Sequence, residues 1–398
     1  MRLRPDGATV PKFRRQSKAA ETLAVDCSDG ESVWHTLLRL RSSYAAKLPK
    51  PQSRAVGDDW LRVVEEPPQT VKSFRRLSLR AYVHGTYDTI FLQPVGLDRL
   101  LAKGGGKKSA RTRRGETQRA RGAATSACTG AGTGAGTTAE AAPGTELVPA
   151  TAVLAGSGRQ ATTATSESES ELDDAAALRA IRSYLQCFFP GLSAKVMPTP
   201  AALRAGRAHP EHGHAQLLCA DVYDCLSTVR RTQREVARTA VALIGVSGTD
   251  LYPSDDFAEV SGEADPMNGV AVISWFGHRQ WCPDHPLAAG DGSPPPPALV
   301  LKRIAATTSH EVCHLFGLHH CVYRHCLMNG SNNQVESDAR PALLCPVCLR
   351  KLHLALVGEG ASDAEARAWI VQRYEPGLQS LGAGSVSRPR ENNELVLS

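Results

Sequence analysis

His310-Glu311-Val312-Cys313-His314-Leu315-Phe316-Gly317-Leu318-His319-His320 is the stretch on which the reading of this chain turns. It fills every fixed position of an HExxHxxGxxH pattern. On a helix, His310 and His314 lie one turn apart, offset by only ~40° and ~6 Å, so both imidazoles can converge on one ion. Gly317 can then end the helix in a backbone conformation denied to residues with a side chain, turning the chain so that a third nitrogen follows. His319 and His320 compete for that third position, and the spacing from Gly317 favours His320. Three neutral histidines leave the fourth tetrahedral position open for water, the arrangement of a catalytic rather than a structural zinc. Glu311 directly follows the first ligand. It is placed to act as general base on that water and to return the proton to a leaving amine while zinc polarises the scissile carbonyl. The bland reading, ordinary helix and loop histidines, requires every fixed residue to coincide in a chain with only 13 His and 34 Gly.

A second ligand set begins one residue later. Cys321 and Cys326, followed by Cys345-Pro346-Val347-Cys348, have the count and close spacing of a four-thiolate zinc site. Disulfides or simple buried thiols are the alternative. Eleven cysteines without a secretory opening favour a reducing compartment, where clustered thiols bind metal. Four thiolates saturate zinc, so this site is expected to be closed to substrate and to act as a staple on the chain that carries His320.

On these residues the chain resembles an archaemetzincin, a family of zinc metallopeptidases within the metzincins. That family's pattern runs from the third histidine into Cys-x4-Cys-x-Met and, after a spacer, Cys-x-x-Cys. Cys321-x4-Cys326-Leu327-Met328 and Cys345-x-x-Cys348 match it, with a spacer from Asn329 to Leu344 one residue shorter than the family's. The resemblance implies a hydrolase acting on peptide or protein substrates with two zinc ions per chain. His310, His314 and His320 would hold the catalytic ion and Glu311 would be the base. Cys321, Cys326, Cys345 and Cys348 would hold the structural ion. Met328 would be the methionine of the turn beneath the catalytic metal, which agrees with the usual reading of a methionine as core filler. Upstream, Thr249-Asp250-Leu251-Tyr252 and Val270-Ala271-Val272-Ile273-Ser274 are similar to a strand end and a strand that precede the family's catalytic helix. The resemblance implies that Val270, Ala271, Val272 and Ile273 form the rim of the cleft, where exposed backbone groups hold an extended peptide in register; an ordinary internal strand fits the pattern equally well. Trp275 to Arg279 departs from the family's pattern.

The remaining elements are read from periodicity. Val241 to Val246 is a buried strand candidate, and Leu77 to Val83 and Thr89 to Pro94 read as β segments. Leu172 to Phe189 carries Leu178, Ile181, Leu185 and Phe188 on one helical face, and a second helix is expected over Gln216 to Ala240. Pro294 to Pro297 suit a helix start, so Ala298 to Phe316 reads as the metal-bearing helix. The preceding loop, Gly277 to Pro297, could cover the cleft, although Cys282 and His285 within it are too sparse for a metal site. Ser362-Asp363-Ala364-Glu365 is a capping box opening a helix to about Tyr374. The fold class expected is α/β: a metzincin-like sandwich with a mixed, mostly parallel sheet, an active-site zinc helix and a small four-cysteine, zinc-stabilised C-terminal part.

The domain plan is an N-terminal extension over 1–76, partly disordered, then N-terminal strands of the catalytic domain over 77–102. A low-complexity insertion over 103–171 follows, with the catalytic domain over 172–376 and a disordered tail over 377–398. Residues 103–122 hold eight Lys/Arg against one Glu and residues 1–20 six against one Asp. Removing those twelve net charges from the formal +6 leaves the rest of the chain near −6, so its basic pI says nothing of the catalytic domain. Lys107 to Arg121 reads as a solvated run rather than a nucleic-acid patch. With no apolar run near the ~20 residues of a membrane span, no membrane association is expected. A monomer in the cytoplasm or nucleus is expected, with a mitochondrial address left open by the acid-poor, Arg-containing N-terminus. The competing functional reading is a zinc-stabilised module that binds protein or nucleic acid with weak or no peptidase activity. Glu311 discriminates against it, since a metal staple has no use for that carboxylate. A redox or zinc-responsive role using Cys313 ranks last.

Overall fold

The computed structural model describes residues 16–26, 60–77, 86–96, 173–198 and, apart from short breaks, 201–380, together with Val33, Trp34 and Leu37. All belong to the unit formed by residues 1–103 and 169–398. The expected insertion over 103–171, most of the Leu77–Val83 segment and the tail beyond Ser380 lie outside the described residues.

The strands are β1 (Thr89–Val95), β2 (Ser193–Val196), β3 (Arg207–Ala208), β4 (Ala215–Leu218), β5 (Ala240–Ser247), β6 (Leu251–Tyr252), β7 (Gly262–Asp265) and β8 (Val270–Ser274). Five of them form a sheet in the order β2-β1-β5-β8-β7. β1, β2, β5 and β8 run parallel, and β7 is antiparallel to β8. β3, β4 and β6 make a second, small sheet.

Both faces of the large sheet are covered, which explains why β1, β5 and β8 are apolar without interruption rather than alternating. Ile90, Leu92, Ile244, Val246, Ala271 and Ile273 pack to one side. Phe91, Val95, Leu243, Val270 and Val272 pack to the other. On the second side the approach is close: a Cβ on Gly245 would lie 3.1 Å from Val222 and 3.2 Å from Leu226 of the helix Cys219–Thr232. The architecture is α/β with a mixed, mostly parallel sheet.

The helix Asp174–Phe188 and the metal-bearing helix Pro297–Leu315 lie where periodicity and the proline run put them. Ser362 and Glu365 cap Asp363–Ser380 reciprocally: Ser362 N donates to Glu365 Oε2 at 2.7 Å and Glu365 N to Ser362 Oγ at 3.3 Å. Two expectations are corrected. The span Gln216 to Ala240 is not one helix: β4 takes its start, Gln233 at φ −86° and ψ 107° separates Cys219–Thr232 from Arg234–Thr239, and Ala240 already belongs to β5. The rim assignment of Val270, Ala271, Val272 and Ile273 also fails. β8 pairs with β5 on one side and β7 on the other, so its backbone groups are spent within the sheet. The edge on this side of the sheet belongs to Gly262–Asp265, a strand too short and polar to carry an alternating signal.

The N-terminal region contributes more than an extension would. Ala24 and Val25 of the helix Lys18–Val25, and Val71 and Phe74 of the helix Val71–Arg75, are fully buried in the same core as the metal-bearing helix.

Candidate metal centre

The helix Pro297–Leu315 ends as its sequence demands. Gly317, at φ +85°, follows the C-cap Phe316. Gly317 N donates to His314 O at 2.8 Å and Leu318 N to Cys313 O at 3.1 Å, the paired bonds of a Schellman motif. The turn brings His320 back to the helix, and the ligand nitrogens of His310, His314 and His320 lie within 4.8 Å of one another.

Each ring has one nitrogen already engaged. His310 Nδ1 meets Leu327 O at 2.8 Å, His314 Nδ1 meets Leu318 O at 2.7 Å and His320 Nδ1 meets Glu66 Oε1 at 2.7 Å. An acceptor at Nδ1 puts the proton there and leaves Nε2 as a lone pair. His310 Nε2 and His314 Nε2 then face each other at 2.9 Å, an arrangement of two lone pairs that a cation between them resolves. Ligand nitrogens around a tetrahedral zinc ion lie ~3.3 Å apart, so this pair is within a few tenths of an Å of a ligated spacing. Burial, with the neighbouring histidine and Arg340 charges, drives His310 well below the ordinary imidazole range. Burial likewise takes His314 down to about 3. Both rings are therefore held neutral, the form a metal requires.

Glu311 is buried beside them. Burial pushes its carboxyl up to about 8, with Arg340 opposing the rise and Glu263 adding to it. The edge strand presses on this residue: a Cβ on Gly262 would lie 2.8 Å from Thr307 Cγ2, 3.0 Å from Glu311 Cγ and 3.2 Å from Glu311 Oε1.

The four cysteines converge as well. Cys321, Cys326, Cys345 and Cys348 are buried, and their sulfurs form a second group with metal-ligand spacing. Cys321 Sγ and Cys345 Sγ are 3.5 Å apart, far beyond a disulfide bond and close to the ~3.8 Å between thiolates on a tetrahedral zinc ion. Burial opposes ionisation here, but hydrogen bonds from the other three thiols hold Cys321 well below the ordinary thiol range. Met328, fully buried, sits at the junction of the two sets. Its carbonyl accepts from Cys321 N at 2.7 Å, while the adjacent Leu327 carbonyl holds His310.

His319, the competitor for the third position, is exposed and takes no part in the cluster. Cys313 is buried and belongs to neither metal group, and Cys282 and His285 form no such group among the described residues. Described residues of the Gly277 to Pro297 loop are held by ion pairs and hydrogen bonds: His285 Nε2 meets Asp338 at 3.0 Å, and Arg303 pairs with Asp338 and donates to His278 O at 3.0 Å.

Sequence reading missed Glu66 altogether. Burial raises its pKa, but bonds from His320 and Trp60 outweigh that and hold the carboxyl below the ordinary range. It also missed Gln69, whose Nε2 donates to Gly317 O at 2.9 Å and whose Oε1 accepts from His319 N at 3.0 Å. Neither lies in a motif, and only the fold brings them to the turn.

Fold and site together define an α/β protein with two metal-ligand sets, one of nitrogens beside a buried carboxyl and one of sulfurs. Residues 293–354 match the family model of peptidase family M54. Archaemetzincin-2 of Macaca fascicularis is 29% identical over 233 residues, covering 54% of this chain and 62% of that protein. Archaemetzincin of Pyrococcus furiosus is 35% identical over 137 residues, covering 34% of this chain and 64% of that one. The crystal structure of archaemetzincin from Methanopyrus kandleri aligns at a TM-score of 0.33 and 24% identity, covering 45% of this chain and 85% of that chain. The chain is thus similar to archaemetzincins, with the family-model match lying over residues 293–354. It spans less than two thirds of the length of the curated relatives named here.

Proposed function

We propose that this protein is a zinc-dependent peptidase that hydrolyses peptide bonds at the three-histidine site, with a structural zinc on the four cysteines giving two zinc ions per chain. The carrying observation is the set of three imidazoles whose Nδ1 atoms are all engaged, next to a buried carboxyl. His310, His314 and His320 would hold the catalytic ion through Nε2, and Cys321, Cys326, Cys345 and Cys348 the structural one. A zinc ion at the histidines supplies Lewis acidity, polarising the scissile carbonyl and acidifying water. Glu311 takes a proton from the attacking water and returns it to the leaving amine. Met328 packs as the floor of the site. The fold is a metzincin-like sandwich, and Gly262–Asp265, as the edge strand, offers the backbone groups that hold an extended peptide. Among the described residues no helix is long and apolar enough to cross a membrane.

Native mass spectrometry of the purified protein is expected to show two zinc ions per chain, one exchangeable and one tightly held. A peptide-library digest is expected to show cleavage that a chelator abolishes and zinc restores. At most one zinc in active protein, or no cleavage across a broad library, overturns this reading.

Gly262→Ala tests the packing of the edge strand on the base. The added methyl displaces Glu311 or Thr307, and a misplacement of ~1 Å can lower turnover by about 10²-fold. Turnover is expected to fall 10- to 100-fold with both zinc ions retained. Unchanged turnover would show that the contact is relieved without moving Glu311.

A further inference from the structure

The chain segment that reaches the histidine site from far upstream has a built seat. Trp60 meets His320 edge-on, with ring centroids 5.0 Å apart. Its Nε1–H donates to Glu66 Oε1 at 2.8 Å, and the same oxygen receives His320 Nδ1 at 2.7 Å. Gly330 makes room for the indole: a Cβ there would lie 2.4 Å from Trp60 ring atoms, a contact side chains do not make. The Trp60 backbone N–H is held by Glu336 at 3.0 and 3.1 Å. At the other end, Gln69 grips the turn at Gly317 and His319, and buried Lys351 anchors Gln69 Oε1 at 2.7 Å. A carboxylate brushing a histidine by chance would not be fastened on both sides of the contact.

We propose that Glu66 is a positioning residue for the third metal ligand: by accepting from His320 Nδ1 it holds the ring in the tautomer and orientation that present Nε2 to the ion, and so sets the affinity of the three-histidine site. This rests on reading that site as a zinc site. His310 and His314 are oriented by backbone carbonyls that belong to the metal-bearing turn itself. His320 is oriented by a carboxylate 254 positions away in sequence. Carboxylate partners of this kind raise the basicity of the ligating nitrogen, and their loss typically weakens metal binding 10- to 100-fold. The arrangement makes the N-terminal segment part of the metal centre rather than an appendage to it.

The test compares the full-length protein with E66Q and E66A by competition for zinc against a chromophoric chelator. E66A is expected to lose about 10- to 100-fold in affinity at one site while the second zinc stays bound. E66Q keeps an acceptor oxygen without the charge and is expected to fall between the two; being isosteric, it also decides the matter if E66A fails to fold. After removal of the exchangeable zinc, NMR of histidine-labelled protein is expected to show His320 as the Nδ1–H tautomer in the parent and a mixture in E66A. A purely structural strap would lower the melting temperature without moving that tautomer. Parental affinity and an unchanged tautomer in both variants overturn the assignment of Glu66. Zinc found only on the four cysteines of the parent protein overturns the reading of the histidine site itself, and the assignment with it.

Discussion

Replacing Glu311 with glutamine is expected to leave two zinc ions and the native fold in place while peptide hydrolysis falls by about 10²–10⁴, the usual worth of a general base. The amide matches the carboxyl in shape, so the contacts with the edge strand around Gly262 persist. Removing the charge should not harm the fold, because burial already disfavours the carboxylate and pushes its pKa up to about 8. A buried acid of this kind is a poor choice for stability and a good one for proton transfer. The lost interaction acts in the transition state, so peptides should bind with similar affinity. Steady-state kinetics on one validated peptide, with zinc analysis of the same sample, make the check. Equal rates for the two proteins would remove Glu311 from the base role.

Cys345→Ser is expected to damage the fold as well as activity. The four sulfurs are buried together, and Cys345 N also donates to Cys326 Sγ at 3.2 Å, so one lost ligand opens the whole cluster. On the proposed reading the substitution would release a structural metal, and such losses belong to the rare changes that cost ~4 kcal/mol or more. At roughly 2–4 °C per kcal/mol for a domain of this size, the melting temperature should drop by about 10 °C. Activity should fall with it, since Leu327 and Met328 bridge the two sites: one carbonyl orients His310 and the next accepts from Cys321 N. Thermal melts of C345S and E311Q side by side separate the effects. Equal melting temperatures would show that the cysteine cluster does not hold the catalytic turn.

The two sites differ in how they are stabilised against their own chemistry. The cysteine cluster is a closed knot of sulfur within the core. The histidine site is assembled from a helix, a turn and an upstream strap, and only its backbone-oriented members are fixed locally. On the proposed reading, metal affinity at the histidines would respond to change at Glu66 while the knot stays intact.

How much was legible in the chain follows from the range of the interactions. The metal-bearing helix, the glycine that ends it, the three histidines, the adjacent glutamate and the four cysteines all lie within a short span, and their spacing alone brings like donors together. The apolar runs of β1, β5 and β8 and the face of the helix Asp174–Phe188 were equally readable, because burial imposes its period on neighbouring residues. What the tertiary structure decided was everything that depends on pairing across the chain. Val270 to Ile273 reads the same whether it lies inside a sheet or at its edge, and only the docking of Gly262–Asp265 makes it internal. Glu66 and Gln69 carry no local signal, since a carboxylate or an amide acquires its role from the atom opposite it. Here that atom belongs to His320 or Gly317, which only the folded chain brings within 3 Å.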